Sequence, residues 1–472
     1  MPETPESSGE IWTRRQVLRA GGIGAAGLGL SGLLAGCGGS SKNSTASGAT
    51  QPAGSATAAA SAAVASAAAT SASGAASAAA TSASGAASAG GSGTIEVALP
   101  TGTNIQQAGL IAKFQAAFPQ YRVNITETSY GPLHDKLVAS FAGGSVPDVA
   151  LVADQDMGEF ALLNALAPLD DFKAKNGYND ADFLPGSWSR SIVNNKLYGA
   201  PAYYEARGIF YRTDYLQQAG ISAPPKTLDE LVSTGKALSN GSTRFGIADQ
   251  TGQLDQHFLS CILYEMGGGY YNSDGTASTI NNSTGVDAFA YYKSLYDQNI
   301  IPKDPTKRAN PWLGFKNGLY AMAESGGFWF SLLNAAPNLN GKWTVAPFPS
   351  GPANIGYGHP QPWIIPAKAK NSAGAQDWIA FMLKSTSQAD WFPAKGFVPS
   401  VLSAYNDPRL SSNAPLLALR AAAQKTNSIH DVRNGEAITV AVSAVTSQVK
   451  NGMAPKDAAS SLAQKINQLL KP

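Results

Sequence analysis

Apolar and polar residues follow two different periods in the segment that begins near residue 94. Strict alternation predicts strands, whereas apolar residues spaced three or four apart predict helices. By these rules the segment contains a strand at residues 94–99, a helix at 110–118, a strand at 121–126, a helix at 133–141 and a short apolar strand at 149–153. This order indicates an α/β fold with a parallel sheet covered on both faces.

Polar residues follow the third predicted strand directly, as Asp154, Gln155 and Asp156. Parallel sheets bind ligands at the carboxyl ends of their strands, so we expect these three side chains at a ligand edge. The alternative is that one of them caps the helix that begins at Met157. Tyr130 follows the second strand and is expected at the same edge.

The first 93 residues lack both periods. A charged stretch with paired arginines precedes an uncharged run at residues 20–36, which is the layout of a signal peptide at residues 1–36. The arginine pair resembles a twin-arginine export signal, and Leu34-Ala35-Gly36-Cys37 resembles a bacterial lipobox. That resemblance implies that Cys37 carries a lipid anchor, which would hold the protein on the extracytoplasmic face of the cell membrane. A plain transmembrane anchor is the alternative.

Residues 37–93 are dominated by Ala, Ser, Gly and Thr, and Lys42 is their only charged residue. Such a segment cannot build a core, so we interpret it as a flexible linker. About 380 residues remain, more than a single hydrophobic core usually holds, which favours two lobes.

The formal net charge is +2, so nothing favours a nucleic-acid partner. Cys261 is the only cysteine after the predicted anchor, and the apolar residues that follow it indicate a buried core thiol, not a nucleophile. The four histidines lack metal-ligand spacing, and we expect neither a metal nor a cofactor.

Several segments downstream follow one another in a recognisable order: Leu166–Phe172, Leu197–Pro201, Ile209–Tyr215, Ala219–Glu230, Phe315–Trp329 and Ile364–Phe381. Their order and spacing resemble the family 1 extracellular solute-binding proteins of ABC importers, the group that includes the maltose-binding proteins. The resemblance implies a two-lobed periplasmic-binding-protein fold with the ligand held at the hinge. It assigns residues 94–202 and 323–358 to the first lobe, and residues 203–322 and 359–472 to the second.

The function that this resemblance implies is binding of a mono- or oligosaccharide by hinge closure and its delivery to the transmembrane subunits of an ABC permease. We expect a monomer without catalytic residues. A sugar presents C–H faces and hydroxyls, so its site needs aromatic platforms and polar side chains. Such residues near the predicted strand ends and chain crossings are Tyr130, Asp154, Gln155, Asp156, Tyr203, Tyr204, Glu205, Arg207, Asp255, Glu324, Trp329, Tyr357, His359 and Trp363. Gln256 and His257 could face the ligand or cap a helix.

Two other functions remain open. A glycoside hydrolase would need two carboxylates across one bond, and Glu205, Glu265, Glu324, Asp154 or Asp156 could supply them, although no motif pairs any two. A binding protein for a non-sugar polar solute, such as glycerol phosphate, would share the same fold.

Overall fold

The structure is a computed structural model that describes residues 91–250, 255–429 and 432–471. The predicted signal peptide, Cys37 and the linker as far as residue 90 lie outside the described residues. Among the helices that are described, none combines the length and the apolarity that a membrane span requires.

The strands are β1 (Gly93–Pro100), β2 (Tyr121–Thr128), β3 (Val149–Leu151), β4 (Ile192–Val193), β5 (Lys196–Leu197), β6 (Gly199–Arg212), β7 (Phe245–Ala248), β8 (Tyr320–Gly326), β9 (Trp343–Pro347), β10 (Gly356–Ile364) and β11 (Thr426–Asn427). The α-helices are α1 (Leu110–Ala117), α2 (Tyr130–Gly143), α3 (Met157–Leu162), α4 (Asp170–Lys175), α5 (Thr213–Gln218), α6 (Leu228–Leu238), α7 (Asp255–Glu265), α8 (Ser283–Asp297), α9 (Pro305–Arg308), α10 (Pro311–Lys316), α11 (Trp329–Asn334), α12 (Ser372–Met382), α13 (Ser385–Lys395), α14 (Pro408–Ser411), α15 (Ala414–Ala422), α16 (Gly435–Lys450) and α17 (Pro455–Leu469). Short 3-10 helices lie at Asp154–Asp156, Asp180–Asp182, Ser189–Ser191, Pro337–Leu339 and Leu402–Asn406.

The predicted α/β class is confirmed. Strands β1, β2 and β3 are parallel, with Val97 opposite both Ile125 and Val149. Helices α1 and α2 lie where the helical spacing placed them. The apolar side chains of β1 and β3 are buried in the cores on the two faces of this sheet, which explains why its strands carry so many apolar residues.

One long strand, β6, joins the two lobes. Its first half pairs antiparallel with β10, where Tyr204 lies opposite Pro360. Its second half pairs antiparallel with β8 and β9, where Phe210 lies opposite Ala323 and Val345. The path through the sheet is β2-β1-β3-β10-β6-β8-β7, so β6 and β10 stand at its centre. The chain therefore crosses between lobes along these two strands.

Two segments pack in a different lobe from the one that the sequence led us to expect. Residues 323–358 were expected in the first lobe, but Phe348 packs with helices α6, α7 and α8 of the second. Trp363, Trp378 and Trp391 were expected in the second lobe, but they pack in the core beneath β1 and β3. The reason is that β8 and β9 pair with the second half of β6, whereas β10 runs back toward β3.

Candidate functional site

A cavity of about 240 Å³ lies where β6 and β10 meet the loops that follow the first-lobe strands. The first lobe lines it with Thr101 after β1, with Tyr130 at the start of α2 and with Gln155 after β3. These positions are the carboxyl ends of the parallel strands, as the sequence predicted. The end of α13 adds Lys395, and Phe397 follows it.

Strands β6 and β10 form the floor of the cavity, through Glu205, Arg207, His359 and Gln361. Side chains of the second lobe complete the lining: Gln256, His257, Phe328, Tyr357, Glu436 and Thr439. Gln155 of the first lobe donates a hydrogen bond from Nε2 to Oε2 of Glu436, over 3.1 Å. The two lobes therefore contact each other across the cavity.

Arg207 is the electrostatic centre of the floor. Its guanidinium is 4% exposed, with Nη1 3.7 Å from Oε1 of Glu324 and Nη2 3.2 Å from Nε2 of His257. The centre of the guanidinium also lies 5.5 Å from the ring of Phe328, within the range of a cation–π contact. Arg207 is thus held by a carboxylate, an imidazole and an aromatic face.

Glu324 lies behind Arg207 and is fully buried. Burial raises the pKa of its carboxyl to about 7, although the positive charge of Arg207 opposes this shift. Burial likewise raises the pKa of Glu205, against the opposing effects of Arg207 and Lys395. Desolvation therefore outweighs the nearby cations at both carboxyls.

Several buried polar atoms of the residues that line the cavity lack hydrogen-bond partners among the described residues. They are Oε2 of Glu205, Nε and Nη1 of Arg207, Nδ1 of His257 and Oε1 of Gln361. Leaving such a group unpaired costs about 1–3 kcal/mol, so a cluster of several unpaired groups is rare in native proteins unless it has a function. The set contains both donors and acceptors, which suits a ligand rich in hydroxyl groups.

Aromatic faces complete the cavity. Phe397 stacks on Tyr203 with ring centroids 3.6 Å apart, and the hydroxyl of Tyr203 lies 3.0 Å from that of Tyr130. Tyr203 therefore supports two lining residues from behind. Tyr357 is a further aromatic residue of the lining, with its ring 5.3 Å from that of His257.

The structure brings together six of the fourteen residues predicted for the site: Tyr130, Gln155, Glu205, Arg207, Tyr357 and His359. Three others contact these residues from behind the lining. Tyr203 contacts Tyr130, Glu324 contacts Arg207, and Oδ1 of Asp154 lies 3.0 Å from Nδ1 of His359.

Five predicted residues do not line the cavity. Asp156 is buried, and its pKa is raised by burial and by the nearby Glu436. The hydroxyl of Tyr204 bonds that of Thr426, and Asp255 pairs with Lys450 over 3.0 Å. The other two residues, Trp329 and Trp363, are buried in the core.

Trp329 was expected to face the ligand, but it is 2% exposed and packs against Phe210 and Phe315. Phe328, one position earlier, lines the cavity instead. Trp363 is fully buried between Trp378 and Trp391, because β10 has by then entered the first lobe beneath α12 and α13.

Several lining residues were missed, among them Phe328, Gln361, Lys395, Phe397 and Glu436. A local signal existed only for Phe328 and Phe397, which follow Gly327 and Gly396. A Cβ on Gly327 would lie 2.1 Å from the carbonyl oxygen of Gly396, and Gly396 has a φ of +85°. Both positions therefore require glycine, because the two backbones approach closely where these phenylalanines enter the cavity.

Two α/β lobes, joined by central strands and enclosing a polar cavity with aromatic walls, define a solute-binding protein. Residues 109–418 match the family model described as bacterial extracellular solute-binding protein, and the chain belongs to that family. The family and the two-lobed fold predicted from the sequence are both confirmed.

Similar proteins carry related descriptions. A protein of Brucella abortus (strain 2308) named as a binding protein is 27% identical over 294 residues, which cover 61% of this chain and 70% of that protein. A maltooligosaccharide ABC transporter solute-binding lipoprotein of Streptococcus pneumoniae (strain ATCC BAA-255 / R6) is 24% identical, over 56% of this chain and 62% of its own length. The solved structure of the sugar-binding protein MalE from Xanthomonas citri superposes with a TM-score of 0.72 at 26% identity, covering 80% of this chain and 97% of that one.

Proposed function

We propose that the protein binds a neutral carbohydrate in this cavity and delivers it to an ABC permease. The observation that carries the proposal is the group of unpaired buried donors and acceptors between aromatic faces. Hydroxyl groups can satisfy both kinds of atom, and the C–H faces of a sugar ring pack well against Phe328, Phe397 and Tyr357. The names of the pneumococcal and Xanthomonas relatives support the same class of ligand.

The charges around the cavity favour a neutral ligand. Glu205 and Glu436 stand against Lys395 and Arg207, so the formal charges of the lining balance. Glu324 additionally holds Arg207 from behind. A phosphate would therefore meet two carboxylates without an excess of cations, which disfavours glycerol phosphate.

Binding with lobe closure is the mechanism that fits this geometry. Thr101, Tyr130 and Gln155 belong to the first lobe, whereas His257 and Glu436 belong to the second. A sugar that contacts both groups binds the closed arrangement better than the open one, and that difference drives closure. No covalent step is required of any residue.

A carbohydrate panel tests the proposal by thermal shift. Glucose, galactose, maltose, lactose and maltotriose would be compared with glycerol 3-phosphate. A sugar present at about a hundred times its dissociation constant should stabilise the protein by roughly 2.7 kcal/mol. Glu205→Gln should reduce that shift, whereas the control Glu96→Gln, exposed on β1, should not. Stabilisation by glycerol 3-phosphate alone would refute the proposal.

We also propose that the mature protein is held at the membrane by a lipid on Cys37, acts as a monomer and delivers its ligand to the permease from the extracytoplasmic side. The lipobox-like sequence before Cys37 supports the anchor, as does the lipoprotein name of the pneumococcal relative. Acyl chains would then supply the membrane attachment.

A further inference from the structure

His257 lies near the start of α7 and lines the cavity, although it is only 7% exposed. Its ring lies beside that of Tyr357, and its two nitrogens have different surroundings. The sequence left its role open between a helix cap and a ligand contact.

The neighbour of one nitrogen determines where the proton of the imidazole resides. Nε2 lies 3.2 Å from Nη2 of Arg207. A guanidinium only donates hydrogen bonds, so Nε2 must accept, and the ring is neutral with its proton on Nδ1. The pKa of His257 agrees with this assignment, since burial and the charge of Arg207 both lower it.

The protonated nitrogen has no partner. Nδ1 is buried and makes no hydrogen bond with any described residue. An unpaired buried donor is unfavourable unless a ligand supplies the acceptor.

We propose that His257 is a specificity-determining residue, held by Arg207 as the Nδ1–H tautomer and donating a hydrogen bond to one oxygen of the bound sugar. This inference rests on the proposed function. It implies that the site discriminates against a sugar that lacks the oxygen at this position, because the donor would then stay unpaired.

Two substitutions separate the nitrogens. His257→Asn keeps an amide donor near the position of Nδ1, whereas His257→Gln places its amide near the position of Nε2, where it can still accept from Arg207. His134→Gln is the matched control, because His134 is a partly buried histidine of the first lobe that pairs with Glu159 and does not line the cavity.

Titration calorimetry would use the sugar among glucose, galactose, maltose, lactose and maltotriose that binds the wild type most tightly. We expect His257→Gln to weaken binding about tenfold, the equivalent of one neutral hydrogen bond, and His257→Asn and His134→Gln to stay within about threefold. If glucose binds, one of its monodeoxy analogues should bind the wild type more weakly than glucose does. The same analogue should bind His257→Gln as tightly as glucose does. Wild-type affinity and discrimination in His257→Gln would overturn the inference while leaving the proposed function intact.

Nitrogen NMR of the ring gives a test that needs no sugar. In the free protein at neutral pH, His257 should show a protonated Nδ1 and an unprotonated Nε2. A protonated Nε2 would overturn the inference directly. If none of the five sugars binds, the proposed function fails, and the inference fails with it.

Discussion

Phe328 and Trp329 are adjacent in sequence, yet their truncation should have opposite consequences. Trp329 is buried, with its ring centroid 5.6 Å from that of Phe210, 5.5 Å from Phe315 and 6.2 Å from Trp312. Trp329→Ala would leave a hole among these rings. The expected cost is about 3–5 kcal/mol of unfolding free energy, as for other buried tryptophans.

Phe328 is only partly buried and lines the cavity, with Arg207 over its ring. Phe328→Ala removes an aromatic face from the ligand, worth about 0.5–1.5 kcal/mol beyond the lost buried area. With that area included, we expect sugar affinity to fall about ten- to thirtyfold. The free protein should lose much less stability than in Trp329→Ala.

Scanning calorimetry of the ligand-free proteins and titration with the best sugar of the panel would separate the two effects. Trp329→Ala should melt well below the wild type, while its folded fraction binds nearly normally. Suppose instead that Trp329→Ala melts like the wild type and loses its affinity, while Phe328→Ala binds unchanged. The assignment of core and cavity at these two positions would then be reversed.

Other predictions concern the anchor, catalysis and pH. Cys37→Ser should abolish lipid labelling and release a folded protein from membranes; retention there, with no acyl mass on wild-type Cys37, would contradict the anchor. Oligosaccharides incubated with the purified protein should be recovered intact by chromatography, and turnover that Glu205→Gln abolishes would indicate a hydrolase instead. Because burial raises the pKa of Glu324 from 4.5 to about 7, the folded state retains a proton that the unfolded chain releases within this range. As the pH rises from 4.5 to 7, the unfolding free energy of the wild type, measured by denaturation curves, should therefore fall by about 3 kcal/mol relative to that of Glu324→Gln. A difference between the two proteins that does not change with pH would refute the raised pKa.

The order of strands and helices in the first lobe could be predicted because each element carries its own periodic pattern. β1, α1, β2, α2 and β3 all lie within a few residues of their predicted positions. The same rule placed Tyr130 and Gln155 at the cavity, because strand ends of a parallel sheet share one edge. Lys395 and Glu436 reach that edge from distant helices, and no local pattern relates them to it.

The crossings between lobes were harder to place for a physical reason. Nearly every residue of β6 is buried, so no alternation shows where the strand leaves one lobe for the other. Its pairing changes from β10 to β8 between Ala206 and Arg207, and only the partners reveal this change. The resemblance, and not a pattern within the residues themselves, assigned 323–358 to the first lobe. The pairing of β8 and β9 with the second half of β6 accounts for their different packing.

The positions of Phe328 and Trp329 follow from the turn that precedes them. β8 ends at Gly326, whose missing side chain leaves space for the carboxylate of Glu205, since a Cβ there would lie 2.9 Å from Oε2. Gly327 then packs against the backbone of Gly396, and α11 begins two residues later. This path presents Phe328 to the cavity and turns Trp329 into the core. A motif can mark the turn, but the close contact of two backbones that are distant in sequence decides which aromatic residue faces the ligand.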